Sequence, residues 1–182
     1  MAHLHLVRHG HAAASYGDDH DPGLDDEGRR QAEAVAERLA PIGPLPILTS
    51  PLRRCRETAA PLAARWGTTP AVEPAITEVA APSDDLRTRS EWLQRALAGR
   101  WSDLEAAPRR WREALVDRLL TLDTDAVLFT HFVAVNAVIG WATGDDRVMI
   151  DPVGYCSVTV VEPRDGTLHL VEAGSHGHSE VL

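Results

Sequence analysis

An apolar run, Leu4 to Val7, ends in an arginine, a histidine and a glycine: Arg8, His9 and Gly10. A buried strand that closes on a cation and an imidazole, then omits the next side chain, has two readings. One is an ordinary polar strand end meeting water; the other is a reactive imidazole held in an anion pocket. An unperturbed imidazole pKa of about 6.5 leaves much of the ring neutral, and able to act as nucleophile or base, near pH 7. A guanidinium keeps its charge at any working pH and meets an oxyanion with a planar fork of donors. Three further segments carry side chains of this kind: Arg54 in "SPLRRCRET", Glu78 in "AITEVAAP", and His131, which closes "AVLFTH". Singly, each has a plainer reading, Arg54 as one cation of a solvated helix face with Arg53 and Arg56, and Glu78 as a surface carboxylate.

The elements that must position these residues follow from the hydrophobic pattern. "LHLVR", "LPILTS" and "DAVLFTH" read as short buried strands, with a weaker "PAVEP" between the second and third. "LDDEGRRQAEAVAERLA" reads as a helix capped by Asp25 or Asp26, with Ala32, Val35, Ala36 and Leu39 at helical spacing. "PLRRCRETAAPLAARWG" is a second helix, in which Pro51 suits the first turn and Pro61 is expected to kink or restart the helix. The region from about 76 to 105 reads as an irregular insertion containing a helical "SEWLQRAL". "RRWREALVDRLLTL" lines up Trp111, Leu115, Leu119 and Leu122, and "FVAVNAVIGWAT" continues as a helix after His131. "YCSVTVVEP" and "GTLHLVEA" form a hairpin around Arg164-Asp165-Gly166. Strands alternating with helices imply an α/β fold with a mainly parallel central sheet and helices on both faces, the last strands running antiparallel. In such sheets ligands bind outside the carboxyl ends of the strands, so the topology predicts that Arg8-His9-Gly10, the Arg54 segment and His131 converge on one rim.

Composition narrows the function. The 182 residues suit one domain with a real core, 1–182, and the net charge of −9 argues against a nucleic-acid partner. A local basic pocket for a small anion survives that charge, because screening confines fields to about 8–10 Å. His131 and Asn136 interrupt the longest apolar stretch, which excludes a membrane span there. Cys55 and Cys156 form no disulfide or CxxC pattern, and no basic-then-apolar leader opens the sequence, so a cytoplasmic setting is expected. His3 and His5 read as strand residues and not as a metal pair, and His176 and His178 as a tail. Trp92, Trp101 and Trp111 read as packing residues. Arg87, Arg89, Arg95 and Arg100 read as a solvated face, with a site for a second anionic group as the alternative.

Taken together, "LVRHGHA", "LDDEGRRQA", "SPLRRCRETA" and "VLFTHFVAV" resemble the ordered motifs of the histidine phosphatase superfamily, which includes phosphoglycerate mutases and many small phosphatases. Ser50, Leu52, Arg54, Thr58 and Ala59 fall in register with its S-x-L-x-R-A-x-x-T-A segment. The resemblance implies a three-layer, phosphoglycerate mutase-like sandwich. It also implies His9 as a nucleophile that forms a phosphohistidine, with Arg8 and Arg54 as phosphate clamps. His131 becomes the second pocket histidine, binding phosphoryl oxygens, and Gly10 lets the backbone come close to nucleophile or phosphate. Glu78 lies where the family places its proton donor, with Asp84 and Asp85 as nearby competitors. No metal or cofactor is called for, and the expected partner is a small phosphorylated substrate.

This chain departs from the family pattern in four places. His11-Ala12 follows the RHG triplet, Cys55 follows the clamp arginine, Phe132 follows the second histidine, and the aromatic-Gly and Trp-Glu-Gly continuation after Glu78 is missing. Each alters the pocket wall. Cys55 reads as packing, since no base is evident beside it. The expectation is a metal-independent phosphomonoesterase, because a modest insertion and little chain after the last predicted strand leave scant material for a closing lid. A phosphomutase and a noncatalytic phospholigand-binding module are the alternatives. The oligomeric state stays open, a homodimer included.

Overall fold

The structure is a computed structural model and describes residues 1–174, so His176 and His178 lie outside the described residues. Six strands form one sheet: β1 (Leu4–Arg8), β2 (Ile47–Thr49), β3 (Ala71–Val72), β4 (Ala126–Thr130), β5 (Val158–Arg164) and β6 (Thr167–Glu172). Their spatial order is β3-β2-β4-β1-β5-β6. The first four strands run parallel, while β5 lies antiparallel to β1 and β6 antiparallel to β5. This is the expected mixed α/β sheet. The β5–β6 hairpin turns at Asp165 and Gly166, both with positive φ (54° and 74°), as a tight two-residue turn requires.

Side-chain alternation along the strands builds two cores. Leu4 and Leu6 of β1 and Ala126 and Leu128 of β4 face one way, whereas Val7, Val127 and Phe129 face the other. Helices α1 (Asp26–Leu39) and α2 (Arg53–Trp66) cover the Val7 side. Helices α3 (Leu86–Leu97), α4 (Ala106–Leu120) and α5 (Phe132–Thr143) cover the Leu4 side. Covered on both faces, β4 buries all five of its residues, which is why its sequence is a continuous apolar run and does not alternate. Each fully buried Leu or Phe there contributes about 1.5–3 kcal/mol relative to exposure.

Three local expectations are corrected. Helix α2 runs unbroken through Pro61 and begins at Arg53 behind the cap Leu52, so Pro51 lies ahead of it. Pro61 is only half-buried, beside a surface groove between α1 and α2, so the Glu57 carbonyl that loses its partner can turn toward water. Leu62 and Ala63, packed on the sheet, hold the second half of the helix in line. Helix α3 starts four residues before "SEWLQRAL", because Asp85 caps it by accepting from the Thr88 N–H and hydroxyl. The "PAVEP" strand shrinks to Ala71–Val72. The tryptophans pack as expected: Trp92 and Trp101 are buried, and Trp101 stacks on Trp111 with ring centroids 5.8 Å apart. Among the described residues no helix is long and apolar enough to cross a membrane.

Strand register sets up the site. Arg8 of β1 pairs with Thr130 of β4, so the next residues, His9 and His131, leave neighbouring parallel strands side by side. Thr49 of β2 pairs with Phe129, which brings Ser50 and the start of α2 to the same rim.

Candidate active site

Arg8 is buried at the end of β1. Its Nη1 donates to the Val153 carbonyl at 2.7 Å, and its guanidinium carbon lies 3.8 Å from the Tyr155 ring centre and 5.0 Å from that of Phe132. Burial lowers its pKa and Tyr155 opposes that shift; a guanidinium starts so high that it stays a cation. Two aromatic faces are a suitable environment for a desolvated cation.

His9 continues the ladder by one bond, its N–H donating to Thr130 O at 2.9 Å. Its Nδ1 lies 2.8 Å from the Gly10 carbonyl, and Arg54 Nε lies 3.2 Å from its Nε2. A carbonyl only accepts and a guanidinium only donates, so Nδ1 carries the hydrogen and Nε2 presents a lone pair. Burial, then Arg54 and Arg8, hold the His9 pKa well below its usual value, so the ring is neutral at physiological pH. The neutral form, in this tautomer, is the one able to attack through Nε2.

Glu78 stands at the start of α5. Its Oε2 accepts from the Val133 N–H at 3.2 Å and its Oε1 from its neighbour Val79 at 3.0 Å. Those donors and the cations Arg54 and Arg8 favour the carboxylate, yet burial outweighs them and the pKa is pushed up to about 6. The carboxyl still borders the cavity, whereas Asp84 and Asp85 do not. Asp85 is occupied as the α3 cap and Asp84 is exposed.

The cavity these groups border measures about 390 Å³ and is lined by Arg8, His9, Arg54 and Glu78 together with Tyr16, Asp18 and Asp19. Two predicted site residues sit differently from expectation. Gly10 does not border the cavity. A Cβ built on it would fall 2.7 Å from the Gly28 carbonyl oxygen in the first turn of α1, so the glycine serves the approach of two backbones and not of a ligand. Its N–H donates to Thr58 Oγ1 at 3.0 Å, and Thr58 donates on to the Arg54 carbonyl, tying the His9 loop to α2. Gly10→Ala is expected to cost about 1–3 kcal/mol as an overpacked backbone contact. Thermal denaturation should show it as a drop of about 2–4 °C per kcal/mol.

His131 is fully buried and does not border the cavity. Its ring centroid lies 5.3 Å from that of His9, and its Nε2 meets Ser50 Oγ at 2.8 Å and Cys55 Sγ at 3.3 Å. Burial, then Arg54 and His9, hold its pKa well below the usual value. In this arrangement His131 backs His9 from within the protein. Cys55, fully buried, has its thiol pKa raised by burial, which makes it inert as a nucleophile; its contact with an imidazole came from the fold alone.

Tyr155, under Arg8 and with its ring centroid 6.1 Å from that of His9, borders the cavity and carried no signal in the sequence. His11 also borders it, with Nδ1 2.6 Å from Asp25 Oδ2. The pocket arginines are Arg8 and Arg54. Of the insertion's cations, Arg87 pairs with Glu91, and Arg89 lies over Tyr16 against His20. Among the described residues no group of three or more His, Cys, Asp or Glu side chains is placed to hold a metal ion.

A family model described as "Histidine phosphatase superfamily (branch 1)" matches residues 4–175. An "8-oxo-(d)GTP phosphatase" of Mycolicibacterium smegmatis is 37% identical over 98 residues, covering 52% of this chain and 30% of that protein. A "Probable phosphoglycerate mutase" of Erwinia tasmaniensis is 31% identical over 121 residues, covering 64% and 51%. The matches thus span less than two thirds of these relatives' own length. Among solved structures, phosphoserine phosphatase of Entamoeba histolytica in complex with 3-phosphoglyceric acid superposes with a TM-score of 0.75 at 20% identity, covering 100% of both chains.

Proposed function

The chain belongs to the histidine phosphatase superfamily, and from that membership we propose that it hydrolyses a small phosphomonoester through a phosphohistidine on His9. The observation that carries this reading is the state of His9: neutral, its Nδ1–H against the Gly10 carbonyl, its Nε2 lone pair beside Arg54. Arg8 and Arg54 neutralise the phosphoryl dianion that would otherwise repel a nucleophile. At ~4 Å and an effective dielectric near 20, each such charge pair is worth about 4 kcal/mol before desolvation. His9 Nε2 then forms a bond to phosphorus as the ester P–O bond breaks. The leaving oxygen takes the proton of Glu78, and the Gly10 carbonyl stabilises positive charge on Nδ1–H. In the second step the Glu78 carboxylate takes a proton from water as the water oxygen bonds to phosphorus and the P–N bond breaks, returning both groups to their starting states.

The cavity of about 390 Å³ supports a metabolite-sized substrate, since ligand pockets span roughly 300–1,000 Å³. The test is to expose the protein to a labelled phosphoester, quench, and follow the label. Acid-labile label on the protein, chased by water into inorganic phosphate, is the expected result. Chase into an isomeric phosphoester without phosphate release replaces hydrolysis by the mutase chemistry named for the Erwinia tasmaniensis relative. Absence of any protein-bound label overturns the phosphohistidine and leaves a binding module.

A further inference from the structure

His11 is a third imidazole on the cavity wall, and its environment differs from those of His9 and His131. Those two rings are buried and held neutral beside cations. The His11 side chain is 38% exposed and rests on a carboxylate, Nδ1 to Asp25 Oδ2 at 2.6 Å. Three further bonds fix the pair. Asp25 is the N-cap of α1 and accepts from the Gly28 N–H at 2.8 Å; its own N–H donates to the His11 carbonyl at 3.3 Å; the His11 N–H donates to Gln31 Oε1 at 2.8 Å. The ring also packs edge-on to Tyr155, with centroids 5.1 Å apart. Its backbone and Nδ1 are thus committed to α1, leaving Nε2 as the atom that can meet a ligand.

We propose that His11, held by Asp25, is an ionisable binding residue of the phosphoryl pocket, which takes up a proton from solvent as a dianionic group enters and donates to that group from Nε2. This rests on the reading of the cavity as a phosphoryl pocket. In the empty cavity Arg8 at the end of β1 and Arg54 on α2 oppose a further positive charge, while Asp25 on α1 favours it. Glu78 in the segment before α3 and Asp18 and Asp19 in the loop after His11 also favour it, while His9 is neutral. An arriving dianion cancels the two guanidinium charges, which leaves Asp25 and the ligand on either side of the imidazole. The carboxyl of Asp25 is ready for this role. Burial opposes its charge more than any single neighbour favours it, but the Gly28 N–H, His11 and the Glu27 N–H together outweigh burial and lower its pKa from the usual carboxylate value. Asp25 acts as a positioning residue, through His11.

Sulfate is the probe, because it stays a dianion across the histidine titration. Proton uptake and anion binding are reciprocal, so a rise of about one unit in the His11 pKa on binding sulfate means about tenfold tighter binding to the protonated form. Ring-resonance NMR of the full chain with and without saturating sulfate reads the first quantity, and sulfate affinity against pH reads the second. Both are measured in a Glu78→Gln background, so that the carboxyl pushed up to about 6 adds no pH dependence of its own. The expected result is an upward shift of the His11 titration, read apart from the His9 and His131 resonances, and an affinity that falls about tenfold as His11 deprotonates. His11→Gln should flatten that pH dependence. Asp25→Asn, which keeps the helix cap, should remove most of the His11 shift. A His11 resonance that titrates at the same pH with and without sulfate overturns the inference, as does a His11→Gln profile that matches the parent. An unchanged shift in Asp25→Asn overturns the role given to Asp25. Arg54→Ala separates the two levels: if it binds sulfate as tightly as the parent, the phosphoryl pocket itself is misassigned. If it weakens binding while His11 fails to respond, only this inference falls.

Discussion

His9→Ala lowers kcat by roughly 10³–10⁶-fold, the range seen when a covalent nucleophile is deleted, and leaves no acid-labile label on the protein. The size follows from the mechanism. Without Nε2 the phosphoryl group has no protein acceptor, and direct attack by water must proceed with the clamps alone. Those clamps survive the substitution. Arg54 donates to His9 Nε2 at 3.2 Å, so removing the ring frees that donor for a phosphate oxygen. The variant is therefore expected to bind inorganic phosphate at least as tightly as the parent while failing to turn over, a combination that a merely misfolded protein cannot give. Steady-state kinetics together with phosphate binding check it, and full activity in the variant removes His9 from the reaction.

Glu78→Gln is the second large effect, and it depends on the leaving group. Protonating a poor leaving oxygen is worth roughly 10²–10⁴-fold, so alkyl phosphates should lose about that much. p-Nitrophenyl phosphate, whose phenolate departs without a proton, should lose less than about tenfold. The pH dependence has a definite sign. A carboxyl pushed up to about 6 is the acid required in the first step below that pH and the wrong form above it. In the parent protein kcat/KM for alkyl phosphates should therefore fall as pH rises through about 6. His9 adds no limb there, because its pKa lies well below the ordinary histidine value and the ring is already neutral. Glu78→Gln should remove the part of the decline that depends on the leaving group, leaving only the dependence that enters through anion binding at His11. Equal losses for alkyl and nitrophenyl substrates would show that Glu78 does not act as the proton donor.

Local chemistry made much of this protein legible before any coordinates. The apolar runs announced the strands that end at Arg8 or lead into Ser50 and His131, and the pair Asp25 and Asp26 announced the start of α1, because hydrophobic period and cap chemistry act over a few residues. What depended on distant partners was hidden or misread. Pro61 reads as a break, yet α2 passes through it because packing on the sheet outweighs one missing backbone bond. Gly10 reads as a glycine that lets the backbone come close to nucleophile or phosphate; its carbonyl does meet His9 Nδ1, but its missing side chain makes room for Gly28, which the sequence did not show. Tyr155 under Arg8 and Cys55 against His131 carry no local signature at all. The sequence could not say which of Glu78, Asp84 and Asp85 faces the cavity; in the fold Asp85 caps α3, while Glu78 accepts from the Val133 N–H of α5 and borders the cavity.

The sequence by itself therefore determined which residue types were present for phosphoryl chemistry and on which elements they lay. Tertiary structure decided their distances and their surroundings. The reason is physical. The pairing of Arg8 with Thr130 across β1 and β4 brings together residues far apart in the chain, and burial there removes the water that would otherwise set every pKa.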